Sequence, residues 1–438
     1  MSEAFLAAND AEANATAEVV DLHPGQVKRD LYEIGEIPPL GHVPKQMYAW
    51  AIRKDRHGEP ADAMQVELVD IPELDSHDVL IMVMAAGVNY NGVWASLGLP
   101  ISPFDYHKAE YHIAGSDASG IVYAAGSKVK RFKVGDEVVV HCNQDDGDDE
   151  ECNGGDPMYS TSQRIWGYET PDGSFAQFCR VQDRQCMPRP KHLTWEESAC
   201  YTLTLATTYR MLFGHRPHIL RPGHNVLVWG ASGGLGSFAV QLCAVSGANA
   251  IGVISDERKR DFVMGLGAKA VINRNNFSCW GQLPEVNGPG FAEYMKETRK
   301  FGKAIWDITG KGNDVDFVFE HPGEATFPVS CNVVKRGGMV VFCAGTTGFN
   351  LTMDARFVWM RQKRIQGSHF ANLMQAAEAN QLVIERRIDP CMSEVFSWND
   401  IPTAHMKMMA NQHKPGNMAV MVQALKPGRR TVEECIEG

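Results

Sequence analysis

The chain has 438 residues, 44% of them apolar and 22% charged, with 53 acidic against 42 basic side chains and a formal net charge of -11. That length exceeds what one hydrophobic core sustains, so at least two domains are expected. The negative balance offers nothing to a nucleic-acid backbone, and no apolar run reaches the ~18–20 residues of a bilayer span, which leaves small molecules as the expected partners.

The first residues, MSEAFLAANDAEANATAEVV, carry neither the basic flank nor the apolar run of a signal peptide. A cytoplasmic location is therefore expected, with the eleven scattered cysteines reduced rather than paired. Residues 1–45 read as an irregular arm. From Met47 onward MYAWAIR, MQVELVDIPE, DVLIMVMAAGVNYN and HIAGSDASGIVYAAGSKVKRFKVGDEVVV are short alternating or apolar runs broken by Gly, Pro and Asp. They predict a mainly antiparallel, barrel-like domain over 46–205.

HCNQDDGDDEECNGGD follows, in which six of the seven residues 145–151 are Asp or Glu. Two cysteines ten positions apart cannot close a tetrahedral zinc site, and the acids lack the spacing of a calcium loop. A solvated acidic loop is predicted, held at the surface by mutual repulsion.

Near LTWEESACYTLTLATTYRMLF the period lengthens to helical, after which strands and helices alternate. NVLVWG, AIGVIS, AVIN, DFVFEHPG and GGMVVFCAG are the strand candidates, and their alternation with helices predicts a doubly wound parallel α/β sheet over 206–366. After about Gly367 the chain is expected to return to the first domain, over 367–438. VLVWGASGGLGSFAVQLC sets Gly230, Ala231, Ser232, Gly233, Gly234, Leu235 and Gly236 between an apolar strand and an amphipathic helix. Glycines there allow a tight turn and close approach of a pyrophosphate to the helix N-terminus. The second strand ends at Ser255 rather than at an acid, with Arg258 and Lys259 close behind. A small hydroxyl beside cations suits a 2′-phosphate, so NADPH is favoured over NADH.

The order of barrel and late nucleotide domain resembles the medium-chain dehydrogenase/reductase superfamily. The resemblance implies a GroES-like catalytic barrel and a Rossmann domain. Its zinc alcohol dehydrogenases bind metal through a cysteine and a histidine where this chain reads GVNYN, with Asn89, and GSDASG, with Ser116. Neither side chain is a good zinc ligand, so no metal is expected. Within the zinc-free branch, YEIGEIPPLGHVPKQMYAW, SQRIWGYETPDGSFAQF and RQKRIQGSHFAN resemble the crotonyl-CoA carboxylase/reductase family over essentially the whole chain.

The family resemblance implies that NADPH delivers hydride to the β-carbon of an enoyl-CoA and that the enolate then attacks CO2, turning crotonyl-CoA into ethylmalonyl-CoA. Donors aimed at the CO2 oxygens would stabilise the forming carboxylate. Asn89 or Asn91 and His369 can supply them, the two asparagines being placed on the same face of a strand. Tyr168 and Glu169 match the family's aromatic-Glu pair, whose backbone helps to hold CO2 while the carboxylate organises a water and the histidine. Tyr168 reads equally as a core residue. Arg356, Arg361, Lys363 and Arg364 form the basic cluster available to the CoA phosphates, or a solvated turn. The resemblance also implies a homotetramer.

HMKMM resembles a biotin site, but NDIPTAHMKMMANQ opens with a helix-start signal and places Ile401 and His405 on one face, so a helix and no biotin are expected. Two other functions remain open: a plain NADPH-dependent enoyl-CoA or quinone reductase that protonates its enolate, and a non-catalytic NADPH-binding protein on the same fold.

Overall fold

The computed structural model describes residues 27–436. The reading of the first twenty residues as irregular lies outside them.

The longest strand, Asp78–Val88, is buried along its whole length, as its near-continuous apolar sequence demands. It pairs antiparallel with Ala118–Ala125, Phe178–Gln182 and Asn417–Met421, and Glu137–Val140 and Cys186–Pro188 extend the sheet. This is the predicted barrel, with one exception to the antiparallel rule: Met392–Phe396 joins Asn417–Met421 in parallel. The helix Ile401–Met409 connects those two strands. Lys407 sits within it and pairs with Glu394 at 2.6 Å, not at a hairpin tip.

The second sheet has six parallel strands in the order Ala270–Asn273, Asn249–Ile254, Asn225–Val228, Val315–Glu320, Val334–Phe342 and Arg364–Gly367. Numbered along the chain this is 3-2-1-4-5-6, the doubly wound order whose switch point lies between the first and fourth strands. All five predicted strands are present. The sixth, RIQG, is short and polar and carries no apolar run to announce it.

The expected return to the barrel begins later than Gly367. The helix Leu373–Ile384 packs Ala379 and Val383 into the core formed by Val226, Phe238 and Leu212, against the helix Thr202–Phe213. Its Ala376 also clusters with Val139 and Met187 of the barrel, but the chain rejoins the barrel sheet only at Met392. The two halves therefore meet along these helices, leaving a cleft at the carboxyl ends of the parallel strands.

Candidate active site

The strand Asn225–Val228 runs into the glycine loop and then into the helix Gly234–Val245, whose N-cap is Gly233. Gly230 adopts φ +53°. A side chain on Gly236 would place its Cβ 2.7 Å from Ala231 Cα and within contact distance of the Gly230 carbonyl, while one on Gly234 would lie 2.6 Å from Asn417 Oδ1. These glycines are thus imposed by packing, and Gly233, with no neighbour closer than 3.5 Å, keeps the backbone open where a pyrophosphate would lie. The residues present fit a dinucleotide.

At the end of the second strand Ser255 is exposed. Arg258 is already paired with Asp256, at 2.9 Å, and Arg260 with Glu257. Of the expected cations beside Ser255, Lys259 is the one left for a phosphate.

A cavity of about 450 Å³ lies in the cleft and brings Asn89, Asn91, Tyr168, Glu169 and His369 onto one wall system with Leu235 of the glycine loop. Asn89 and Asn91 do not share a strand face as expected. The strand ends at Val88, Asn89 caps a helix running Tyr90–Leu97, and Asn91 lies in its first turn. A helix turns about 100° per residue, so the two amides diverge. Asn89 Nδ2 donates to Asp117 Oδ2 at 2.8 Å. The buried Asn91 Nδ2 has no protein partner.

Asp117, the residue after Ser116, ties three elements together. Besides Asn89 it accepts from Leu203 N at 2.7 Å and from the Thr202 hydroxyl, at the start of the helix that carries Thr204 and Thr207 into the cavity. Complete burial pushes its carboxyl up to about 7 against the lowering effect of these donors. Its signal in the sequence was a carboxylate set among small residues in GSDASG, which only its buried position made legible.

Glu169 accepts from Ile165 N at 2.7 Å, and burial raises its carboxyl above the usual range while the Tyr106 hydroxyl bonds to it. His369 is not among its partners. The backbone of the Tyr168–Glu169 pair is likewise unavailable to CO2: both N–H groups donate to the Ile165 carbonyl, at 3.1 and 2.7 Å. The turn begins at Gly167, φ +73°. Tyr168 commits its hydroxyl to the loop beside it, 2.9 Å from the Leu99 carbonyl and 2.8 Å from that of Ile101. It straps the loop that supplies Pro100 and Ile101 to the wall.

His369 is open to the cavity, with Phe370 edge-on at 4.5 Å. The surrounding protein lowers its imidazole to about 4, with the Arg210 guanidinium as a second cause. At neutral pH the ring is uncharged and keeps one N–H to donate.

The basic cluster is not a free patch. Lys363 is buried and donates to the carbonyls of Cys331 and Asn332 at 2.7 and 3.0 Å, closing the C-terminus of the helix Phe327–Val333, so it is withdrawn as a CoA ligand. Arg364 holds the carbonyls of His215 and Arg216, and Arg356 pairs with Asp354. Arg361 stacks over Phe357 at 5.5 Å and remains the most available of the four.

The acidic stretch also departs from expectation. Asp145 is buried, paired with Arg184 at 2.8 Å and accepting from the Cys152 thiol at 3.3 Å. Asp156 pairs at 2.8 Å with Arg210, itself 2% exposed. Repulsion keeps Asp146, Asp148 and Glu150 in solvent, while Asp145 and Asp156 anchor the loop to half-buried Arg184 and buried Arg210. Among the described residues no group of three or more His, Cys, Asp or Glu side chains is arranged for a metal.

Residues 75–191 match the family model described as alcohol dehydrogenase GroES-like domain, and residues 234–385 the one described as zinc-binding dehydrogenase. With Asn89 turned to Asp117 and Ser116 in the positions of the metal ligands, the fold and site define a zinc-free medium-chain dehydrogenase/reductase. The crotonyl-CoA carboxylase/reductase of Cereibacter sphaeroides is 76% identical over 94% of this chain and 95% of its own length. A solved crotonyl-CoA carboxylase/reductase superposes with a TM-score of 0.92 at 75% identity, covering 94% of this chain and 96% of that one. A 2-octenoyl-CoA carboxylase reductase, solved with NADP and 2-octenoyl-CoA, gives 0.83 at 34% identity over 90% and 92% of the two chains. The chain belongs to the crotonyl-CoA carboxylase/reductase family.

Proposed function

We propose that the chain is an NADPH-dependent enoyl-CoA reductase that carboxylates the enolate it forms, converting crotonyl-CoA, CO2 and NADPH to ethylmalonyl-CoA. The observation that carries the reading is the meeting, in one cavity, of an unpartnered buried amide, an uncharged imidazole and the nucleotide loop. Bound NADPH supplies the hydride that reaches the β-carbon of the enoyl thioester. The α-carbon then carries the nucleophilic pair, so the protein needs no base to create it.

The work left to the side chains is to hold CO2 and keep protons away. Asn91 Nδ2 and the N–H of His369 donate to the CO2 oxygens as they gain charge, and a preorganised donor of this kind is worth roughly 10²–10³ in rate. Asn89 positions that helix through Asp117. Glu169, bonded to Ile165 N, retains acceptor capacity for one water beside His369, and Tyr168 fixes the wall opposite. The His369 ring, uncharged at neutral pH, is a weaker acid than an imidazolium, which protects the enolate from simple protonation. Ser255 and Lys259 receive the 2′-phosphate, with Arg258 adjacent once it releases Asp256, and Arg361 is the cation offered to CoA. A homotetramer and a cytoplasmic setting complete the reading. No helix of the described residues is long and apolar enough to cross a membrane.

Product mass with labelled bicarbonate tests it. One label incorporated per NADPH oxidised is expected. Saturated acyl-CoA as the sole product at saturating CO2 would make the chain a plain reductase, and no enoyl-CoA-dependent oxidation of NADPH would make it a binding protein.

A further inference from the structure

A second chamber of about 320 Å³ lies behind His369, lined by Met158, Tyr159, Arg210, His215, Phe342 and Gly367. Four residues, Cys343, Ala344, Ser368 and His369, line both this chamber and the catalytic cavity. The two spaces adjoin at these residues. Tyr159, 62% exposed, carries the chamber to the surface. Ala344 among these residues, at φ +63°, and Phe370 next to His369, at φ +42°, hold left-handed backbone, a conformation retained only where the surroundings over-determine it.

The chemistry of the lining selects its visitor. Phe342, Met158, Cys343 and Ala344 are apolar. The guanidinium charge of Arg210 is offset by Asp156 at 2.8 Å, and the group is bonded to Gln375 at 3.2 Å, while its buried Nε has no protein partner. His215 is committed to Ser368 at 3.1 Å, and burial keeps it uncharged at neutral pH. At roughly 30 Å³ for a water-sized molecule, the chamber holds several small neutral molecules.

The proposed reaction needs such a route. Hydride transfer requires enoyl-CoA and NADPH to be seated together, and both enter through the cleft that the larger cavity fills. CO2 must then reach a short-lived enolate without admitting bulk water along the same path. Resting on the carboxylase reading above, we propose that the chamber behind His369 is a separate entrance for CO2, with the Ser368–His369 wall as the partition it crosses to reach the α-carbon. His369 then serves on both sides, as the donor to bound CO2 and as the leaf between the two spaces. Met158 and Gly367 line the outer chamber and not the catalytic cavity.

Filling the outer chamber tests this. A Cβ on Gly367 would meet only Phe342 Cζ, at 3.8 Å, so Gly367→Leu extends into the chamber without a backbone clash, and Met158→Phe fills it from the opposite side. Initial rates of the full-length enzyme are measured against CO2 at saturating crotonyl-CoA and NADPH, and again with CO2 removed. The expected result is a KM for CO2 raised about fivefold or more in each variant, with CO2-free NADPH oxidation and the KM for crotonyl-CoA unchanged. An unchanged KM for CO2 in both variants overturns the proposal. So does an equal loss of both rates, which indicates a structural defect, or a raised KM for crotonyl-CoA, which assigns the chamber to the CoA arm. If the wild-type enzyme forms no carboxylated product, the carboxylase reading itself has failed, and the variants are not needed to show it.

Discussion

The glycine loop and the wall facing it handle charge in opposite ways. The loop serves a pyrophosphate with backbone, and its side chains are absent because Gly236 and Gly234 have neighbours at 2.7 and 2.6 Å where a Cβ would sit. In the proposed reaction the wall serves CO2 with side chains, while the N–H groups of Tyr168 and Glu169 close a turn on Ile165. A stable dianion can be held by many weak fixed dipoles, whereas a neutral molecule that becomes an anion mid-reaction needs a few donors placed where the charge appears.

The contrast can be broken most severely at the loop. Gly236→Val should cost stability on the order of 1–3 kcal/mol or more from overpacking and abolish NADPH binding. Thermal melts and a fluorescence titration with NADPH report the two effects, and a variant with normal affinity would show that the close approach is dispensable. On the wall, His369→Asn should keep CO2-free NADPH oxidation while lowering the ratio of carboxylated to reduced product at least about tenfold, equivalent to roughly 1.4 kcal/mol. Asn91→Ala should act in the same direction. Asn89→Ala should instead lower the melting temperature, because it strips a donor from buried Asp117. If the two asparagines exchanged these phenotypes, the assignment of the free amide would be wrong.

At the edge of the nucleotide site, Lys259→Ala should weaken NADPH by about five- to tenfold, as expected for one exposed charge-assisted contact, and leave NADH unaffected. Equal losses for both would remove Lys259 from the 2′-phosphate. The smallest effect concerns pH. Asp117 titrates at about 7 in the folded protein and near its ordinary value of 3.8 when unfolded, so the folded state binds the extra proton. Its contribution to stability is fully present below about pH 4 and is lost as pH rises toward 7. Buried Glu320, also raised to about 7, acts in the same sense. Asp117→Asn should therefore flatten, without erasing, the fall in melting temperature across that window, and an unaltered slope would show that Asp117 stays ionised.

Legibility followed the range of the interactions involved. The parallel strands and the phosphate loop were readable because each is a local pattern: a short apolar run, three glycines, a helix. RIQG gives no signal because an edge strand needs no apolar run, and sequence alone assigns the helix Leu373–Ile384 to the barrel because its partner helix lies more than 150 positions earlier in the chain. Lys363 shows the limit for charges. In sequence it is one of three cations in RQKR, and only the fold reveals the two carbonyls that hold it.

By itself the sequence determined the barrel, the doubly wound sheet, the nucleotide and the family, since these rest on periodicity, on glycine positions and on long stretches of matching residues. Tertiary structure decided which asparagine has a free amide, that Asp117 joins three elements, that Asp145 and Asp156 turn inward, and that His369 stands between two spaces. Those facts depend on contacts between residues tens to hundreds of positions apart, and burial, which sets both the hydrogen bonding and the protonation of such groups, exists only once the chain has packed.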